Sequence, residues 1–187
     1  MSQADTPPAP QPARTRTIEA NLGQLTVHAT RHGTMIAPPQ DAYVGRSLEL
    51  YGEYCRAETD ALLRLIQSGN SVVEVGSNIG AHTIALARAC APGPLYAFEP
   101  QQRLFQTLCA NLVLNGVRNV VAYPDALGAA DGAALLPILD YSAKNNFAAV
   151  ALQAAPQQSG PYSAQVRALD SFGLKTCHLL KIDVEGW

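Results

Sequence analysis

The 187-residue sequence has no C-x-x-C pair, no cluster of basic residues and no long apolar run. Each absence removes a class of protein. Its four cysteines, Cys55, Cys90, Cys109 and Cys177, are scattered, a pattern of reduced thiols in packed elements rather than of a disulfide frame or a zinc site, so no metal is expected. With 13 Lys plus Arg against 15 Asp plus Glu the formal net charge is −2. Domains that grip phosphates usually carry a basic excess, so nucleic acid is not an expected partner. A membrane-spanning helix needs roughly 18 consecutive apolar residues, and the opening MSQADTPPAPQPARTRT lacks the apolar centre of a secretory leader. These absences predict a cytoplasmic protein with no membrane partner. What is there, 48% hydrophobic and only 15% charged residues, suffices for one domain core.

Residues 1–17 are rich in Pro, Ala, Gln and Thr and predict a disordered tail, since they hold almost nothing to bury. Alternation over Gln24–Ala29 predicts a short strand that pairs with Thr34–Ala37 across the His32-Gly33 turn. Residues 18–54 then read as an N-terminal extension of one domain over 18–187. Ala57, Ala61, Leu62, Leu65 and Ile66 recur at helical spacing, and Ser68-Gly69-Asn70 ends that helix. Ser71–Val75 is short and β-branched, the profile of a strand buried on both faces, and runs into Gly76-Ser77-Asn78-Ile79-Gly80 and a helix over 81–89. The unit repeats as a strand over 94–99, a helix over 101–115 with Leu104, Leu108 and Leu112 on one side, and a strand over 117–123. Such alternation predicts an α/β fold, a parallel sheet with helices on both faces. Residues 133–139 and 147–152 read as short strands around a polar link, 154–161 as a surface loop, and 166–170 as the opening of another segment. His178–Val184 reads as a buried strand with charges at its C-terminal end.

Gly76 and Gly80 bracket the turn after the first parallel strand, where a missing Cβ lets the backbone bend sharply and a ligand approach the next helix. The dinucleotide pattern G-x-G-x-x-G is not met, because Asn78 holds its third position and Ala81 its sixth; no Gly-Lys-Ser/Thr follows for a Walker loop. From Ser71 to Ala87 there is no Lys or Arg, and Glu74 stands two residues before Gly76, which favours a positively charged ligand over phosphates. Glu99 ends the next strand 23 residues after Gly76, close to the spacing of roughly 20 at which such folds place a carboxylate on ribose hydroxyls. A ribose-bearing cation without phosphate is S-adenosylmethionine. Asp125 and the acids ending the last strand belong to the same sheet edge, where ligands bind. For Glu74 taken alone, a capping or surface carboxylate is the competing reading.

With these residues in place the sequence resembles the FkbM family of S-adenosylmethionine-dependent methyltransferases from about Tyr43 to Gly186. The resemblance lies in VVEVGSNIGAHT at 72–83, YAFEP at 96–100, ALG at 126–128 and, after Leu169-Asp170, LKIDVEG at 180–186. Gly45-Arg46-Ser47-Leu48 and Tyr51-Gly52-Glu53 add to it upstream. It implies a Rossmann-like, doubly wound, mainly parallel sheet of the SAM-methyltransferase type. It further implies that Glu74, Gly76, Asn78 and Gly80 surround the amino-acid end and sulfonium of the cofactor, that Glu99 holds the ribose, and that Asp125 with the Ala126 N–H contacts adenine. His82 and Thr83 begin the following helix and point toward the site, a packed helix start being equally open for His82. The family commonly has Asp where this chain has Glu74, one methylene shorter. Tyr51 and Glu53 are lid candidates, against core packing for the first and solvent exposure for the second.

Methyl transfer from a sulfonium is an in-line displacement with an activated donor, so a protein mainly aligns the acceptor and helps a hydroxyl lose its proton. Asp183 and Glu185 are the catalytic candidates. With Lys181 they share a face if the strand stays regular, Gly186 permitting a turn; an ion pair of Lys181 with either acid that only shapes the strand end is the alternative. In a sheet ordered 3-2-1-4 the last strand lies beside the first and brings Asp183 to the glycine turn. Asn145, Asn146 and Phe147 either overhang the site or form a plain loop. The resemblance implies O-methylation of a small-molecule hydroxyl, on a sugar or natural product, and leaves a homo-oligomer open. A complete fold of this kind continues past the Asp183 strand, so the sequence is expected to lack C-terminal strands. It reads as the enzyme, or as a cofactor-binding remnant with a structural or partner-binding role.

Overall fold

The structure, a computed structural model, describes residues 25–155 and 162–185. The expected tail at 1–17, most of the expected loop at 154–161 and the turn expected at Gly186 lie outside the described residues. The chain opens with an antiparallel hairpin, β1 (Thr26–Thr30) and β2 (Gly33–Ala37), whose register pairs Thr30 with Gly33. Two short helices follow, α1 (Val44–Tyr51) and α2 (Arg56–Leu63). Periodicity did not indicate α1. The signal that marks its start is Asp41, whose buried carboxylate accepts the N–H groups of Tyr43 at 3.0 Å and Gly45 at 2.9 Å, satisfying donors that a helix N-terminus leaves orphaned.

The central unit is β3 (Val72–Val75), α3 (Thr83–Cys90), β4 (Leu95–Phe98), α4 (Gln102–Leu114) and β5 (Val120–Tyr123). After it come β6 (Ala126–Gly128), β7 (Gly132–Leu135), β8 (Gln153–Ala155), β9 (Ser163–Ala168), a 3-10 turn (Leu169–Phe172) and β10 (Leu179–Ile182). The first sheet is parallel in the order β10-β3-β4-β5, which is the 3-2-1-4 order expected. Alternation assigns its two faces. Val72, Leu95 and Ala97 pack with Ile84, Leu86, Leu104, Leu108 and Leu112 of the helices. Val73, Val75 and Phe98 pack on the other side against Tyr123, Leu169, Phe172 and Leu174. Among the described residues this second face is covered by the 3-10 turn and the chain after it rather than by a helix.

A second sheet, β6-β9-β7-β8, is mixed, with β6 parallel to β9 and the other pairs antiparallel. Its strands are three to six residues long and rich in alanine, so they carry little of the β-branched signal that marks strands in sequence. The strand expected over 147–152 is absent: Phe147 is fully buried in irregular chain, its ring tilted against that of Tyr141 with centroids 4.4 Å apart. Nor is β10 a buried strand. It borders the sheet, so Leu180 and Ile182 are 45% and 62% exposed and Lys181 is the buried member, at 6%. The four cysteines are free, with Cys90 buried but Cys55 and Cys177 exposed. No helix among the described residues is long and apolar enough to cross a membrane.

Candidate functional site

Crossover connections put the turns after β3, β4, β5 and β10 at one edge of the sheet, and a cavity of about 300 Å³ opens there. Its lining includes Gly76, Asn78, Glu99, Asp125, Ala126, Asp183 and Glu185. Phe98, Leu127, Leu152 and Val184 supply apolar wall, and among the described residues no Lys or Arg lines it. Seven of the eleven residues singled out from sequence are thereby brought together.

The glycine turn is built by hydrogen bonds across strands. The N–H groups of Gly76 and Ser77 both donate to the Phe98 carbonyl, at 2.9 and 3.0 Å. Gly76 has φ +81°, and a Cβ there would lie 2.0 Å from the carbonyl oxygen of Asp183. Glycine is required because the chain leaving β10 passes directly over it, the Asp183 N–H donating to the Val75 carbonyl at 3.0 Å. Asn78 takes φ +51°, a region that asparagine tolerates better than most residues. Its N–H donates to Glu99 Oε2 at 2.8 Å, and the Gln101 N–H donates to Oε1 at 2.9 Å. Glu99 thus joins the first turn to the second. Burial pushes its carboxyl up to about 7, against the pull of those two N–H groups.

Glu74, Gly80, His82 and Thr83 do not line the cavity. Alternation along β3 turns Glu74 to the helical layer, so the expectation that its charge meets the ligand at the cavity mouth is corrected. Glu74 is 1% exposed, accepts from Thr83 Oγ1 at 2.6 Å and lies 3.8 Å from Lys181 Nζ. Burial raises its pKa, with Lys181 the larger opposing influence. Lys181 also reaches Asp183 Oδ2 at 3.4 Å and Glu58 Oε1 at 4.0 Å. The ion pair weighed as an alternative for the strand end is therefore present, and it leaves Asp183 59% exposed at the rim. Regular alternation stops at Ile182, so Lys181 and Glu185 end on different surroundings. His82 is the packed helix start: Nδ1 bonds Thr59 Oγ1 at 2.9 Å, the ring is 5% exposed, and burial lowers its pKa to about 4.

Asp125 is 8% exposed and 4.0 Å from Arg167 Nη1; burial raises its pKa and the guanidinium opposes that. Sequence reasoning missed Tyr54 and Gln101, which also line the cavity. Burial, foremost, holds the Tyr54 hydroxyl above its usual range, with Cys55 and Asp183 adding to it. Gln101 donates to the Phe147 carbonyl at 2.9 Å and so ties the 140–152 segment over the cavity. Its position two residues after the strand-ending Glu99 was the available signal; Tyr54 sits in a linker with none. Tyr51 and Glu53, the lid candidates, are not in the lining. No group of three or more His, Cys, Asp and Glu stands ready to hold a metal ion among the described residues.

The family model described as Methyltransferase FkbM domain matches residues 74–187, more than half of the chain. No curated protein matches it. Among solved structures, the chain is similar to Trm5b from Pyrococcus abyssi, at 20% identity and TM-score 0.43, covering 53% of this chain and 27% of that one. It is similar to TYW2 from M. jannaschii in complex with AdoMet, at 25% identity and TM-score 0.42, covering 53% and 42%. A third is aTrm5 in complex with tRNALeu, at 18% identity and TM-score 0.42, covering 52% and 27%. The matched region is less than half the length of each of these structures. The tRNA complex corrects the expectation of a small-molecule acceptor with no nucleic acid. The small-molecule acceptor was implied by the family resemblance; the exclusion of nucleic acid rested on net charge, which sums over the whole chain, whereas contact with nucleic acid depends on where the cations lie.

Proposed function

The chain belongs to the FkbM methyltransferase family, and from that premise we propose that it methylates an acceptor hydroxyl presented beside the end of β10, with S-adenosylmethionine as methyl donor. The observation that carries this reading is the cavity lining: Glu99, Asp125, Asp183 and Glu185 with no Lys or Arg, beside a turn whose Gly76 leaves no room for a Cβ. These residues fit a cationic nucleoside and repel a polyphosphate. Residues 18–187 are assigned to this one domain, with 18–54 as an extension. Asn111 of α4 supports that assignment by accepting the Ile36 N–H of the hairpin at 2.7 Å.

When bound, the cofactor supplies a sulfonium methyl already activated for in-line displacement. Glu99 holds the ribose hydroxyls with its remaining lone pairs, while its bonds to the Asn78 and Gln101 N–H groups fix its direction. Asp125 accepts from the adenine amino group and the Ala126 N–H donates to the ring. Gly76 and Asn78 line the amino-acid end; Glu74, Gly80, His82 and Thr83 support that turn from behind. Asp183 takes the proton of the acceptor hydroxyl at Oδ1, since Oδ2 is held 3.4 Å from Lys181 Nζ. Glu185 positions the acceptor from the other side of the rim.

The test is a methyl-transfer assay with labelled cofactor against RNA and non-nucleic hydroxyl acceptors in separate arms, paired with calorimetry using S-adenosylhomocysteine. Asp183→Asn is expected to lower kcat by about 10²–10⁴-fold and leave S-adenosylhomocysteine affinity within about twofold. No affinity for S-adenosylhomocysteine, or an Asp183→Asn variant with full kcat, sinks the reading.

A further inference from the structure

We propose that Arg167 positions Asp125 to select a 6-amino purine, an inference that rests on the adenine role assigned to Asp125 above. Arg167 lies on β9, in the second sheet, where it pairs with Leu127 next to the proposed adenine contact at Ala126, yet it belongs to none of the motifs that defined the site. Three contacts hold its guanidinium. Cζ sits 3.9 Å from the centroid of the Phe172 ring, Nη2 donates to Ser171 Oγ at 3.2 Å, and Nη1 lies 4.0 Å from Asp125 Oδ2. Phe172 is itself fixed, edge-on to Phe98 at 5.0 Å and to Tyr123 at 4.8 Å, and Phe98 is part of the cavity wall.

A guanidinium stacks and pairs at the same time because it is planar and carries donors on separate nitrogens; an ammonium does not. Arg167 therefore transfers the rigidity of the aromatic cluster to a carboxylate that is 8% exposed and needs charge compensation to stay ionised. With Oδ2 turned to Arg167, Oδ1 is the acceptor left for a ligand amino group. An ionised, oriented carboxylate accepts from the 6-amino group of adenine and repels the 6-oxo group of hypoxanthine. Loss of Arg167 frees the carboxylate to turn or to take up a proton, and either change blunts that contrast. The selectivity of the pocket, rather than its overall affinity, is the quantity that Arg167 controls.

Calorimetry on the full chain with S-adenosylhomocysteine and S-inosylhomocysteine measures it. The wild type is expected to prefer the adenosyl compound by about tenfold or more, a difference of one good hydrogen bond to a charged group. Arg167→Ala is expected to narrow that preference to about threefold or less while affinity for the inosyl compound stays within about twofold, and Arg167→Lys to fall between the two. An Arg167→Ala protein that loses affinity for both compounds by the same factor, or keeps the full preference, overturns the proposal. Should Arg167→Ala fail to fold, Arg167→Lys decides alone, full preference in that variant overturning it. A wild type that binds both compounds equally is a different failure: the adenine role of Asp125 falls first, and this inference with it.

Discussion

Glu99 accepts two backbone N–H bonds yet its carboxyl is pushed up to about 7, because burial outweighs them. The ordinary value is 4.5, so between the two the folded protein holds a proton that the unfolded chain has lost. Stability therefore falls as pH rises from about 4.5 to about 7, by on the order of 3 kcal/mol, and levels off above. Ribose hydroxyls donate to the ionised form. Affinity for S-adenosylhomocysteine is thus expected to rise from about pH 6 to about pH 8, with a fraction of a proton released on binding at neutral pH. Calorimetry in two buffers of different ionisation enthalpy counts that proton, and Glu99→Gln should abolish it and flatten the stability slope. Lys181 poses the complementary case. It stands against Glu74, Asp183 and Glu58 while only 5% of its side chain is exposed. Lys181→Met leaves Glu74 buried without its counter-charge, for an expected loss of about 3–5 kcal/mol in urea unfolding; a loss under about 1 kcal/mol would show that the cluster is not held by charge.

The contact between the end of β10 and the turn after β3 is a tightly constrained junction between elements. Gly76→Ala puts a methyl group 2.0 Å from a backbone oxygen, at φ +81°. A backbone oxygen cannot swing aside as a side chain can, so β10 must part from β3. We expect a loss of about 3 kcal/mol or more in unfolding and no measurable S-adenosylhomocysteine binding. Gly69→Ala is the control: φ is +87° there but nothing lies within 4 Å, so left-handed strain alone should cost about 1–2 kcal/mol. This junction was legible in sequence because β3, α3, β4, α4 and β5 carry dense periodic apolar patterns that fix their order, and the order fixes which strand ends meet. The second sheet was not. Strands such as Ala126–Gly128 and Gln153–Ala155 have no β-branched residue, and their pairing depends on long-range closure that local pattern does not encode. Direction within an element was the other limit. Alternation shows that Glu74 and Val73 face opposite ways, but which way is inward depends on the helices of the whole layer, and the same ambiguity concealed the buried Lys181 on an exposed edge strand.

Across the molecule, charge is segregated rather than scarce. A net charge of −2 coexists with a cavity lined by four carboxylates and no Lys or Arg. Arg31 and Arg56 are engaged on another surface with Glu53 and Asp60, and Arg46 with Glu49. A ligand that brings phosphates to the cavity meets acids, while the nearest cations, Lys181 and Arg167, lie outside the lining and are already paired with Asp183 and Asp125. Binding to the folded state alone stabilises it by RT ln(1 + [L]/Kd), about 2.7 kcal/mol at 100 times Kd. In a chain of this size that raises Tm by roughly 5–10 °C. S-Adenosylhomocysteine at that saturation should give such a shift, and ATP or NAD at the same concentration less than about 1 °C. Equal shifts with ATP would mean that cations outside the lining reach the cavity, and that the carboxylate edge does not set which nucleotide enters.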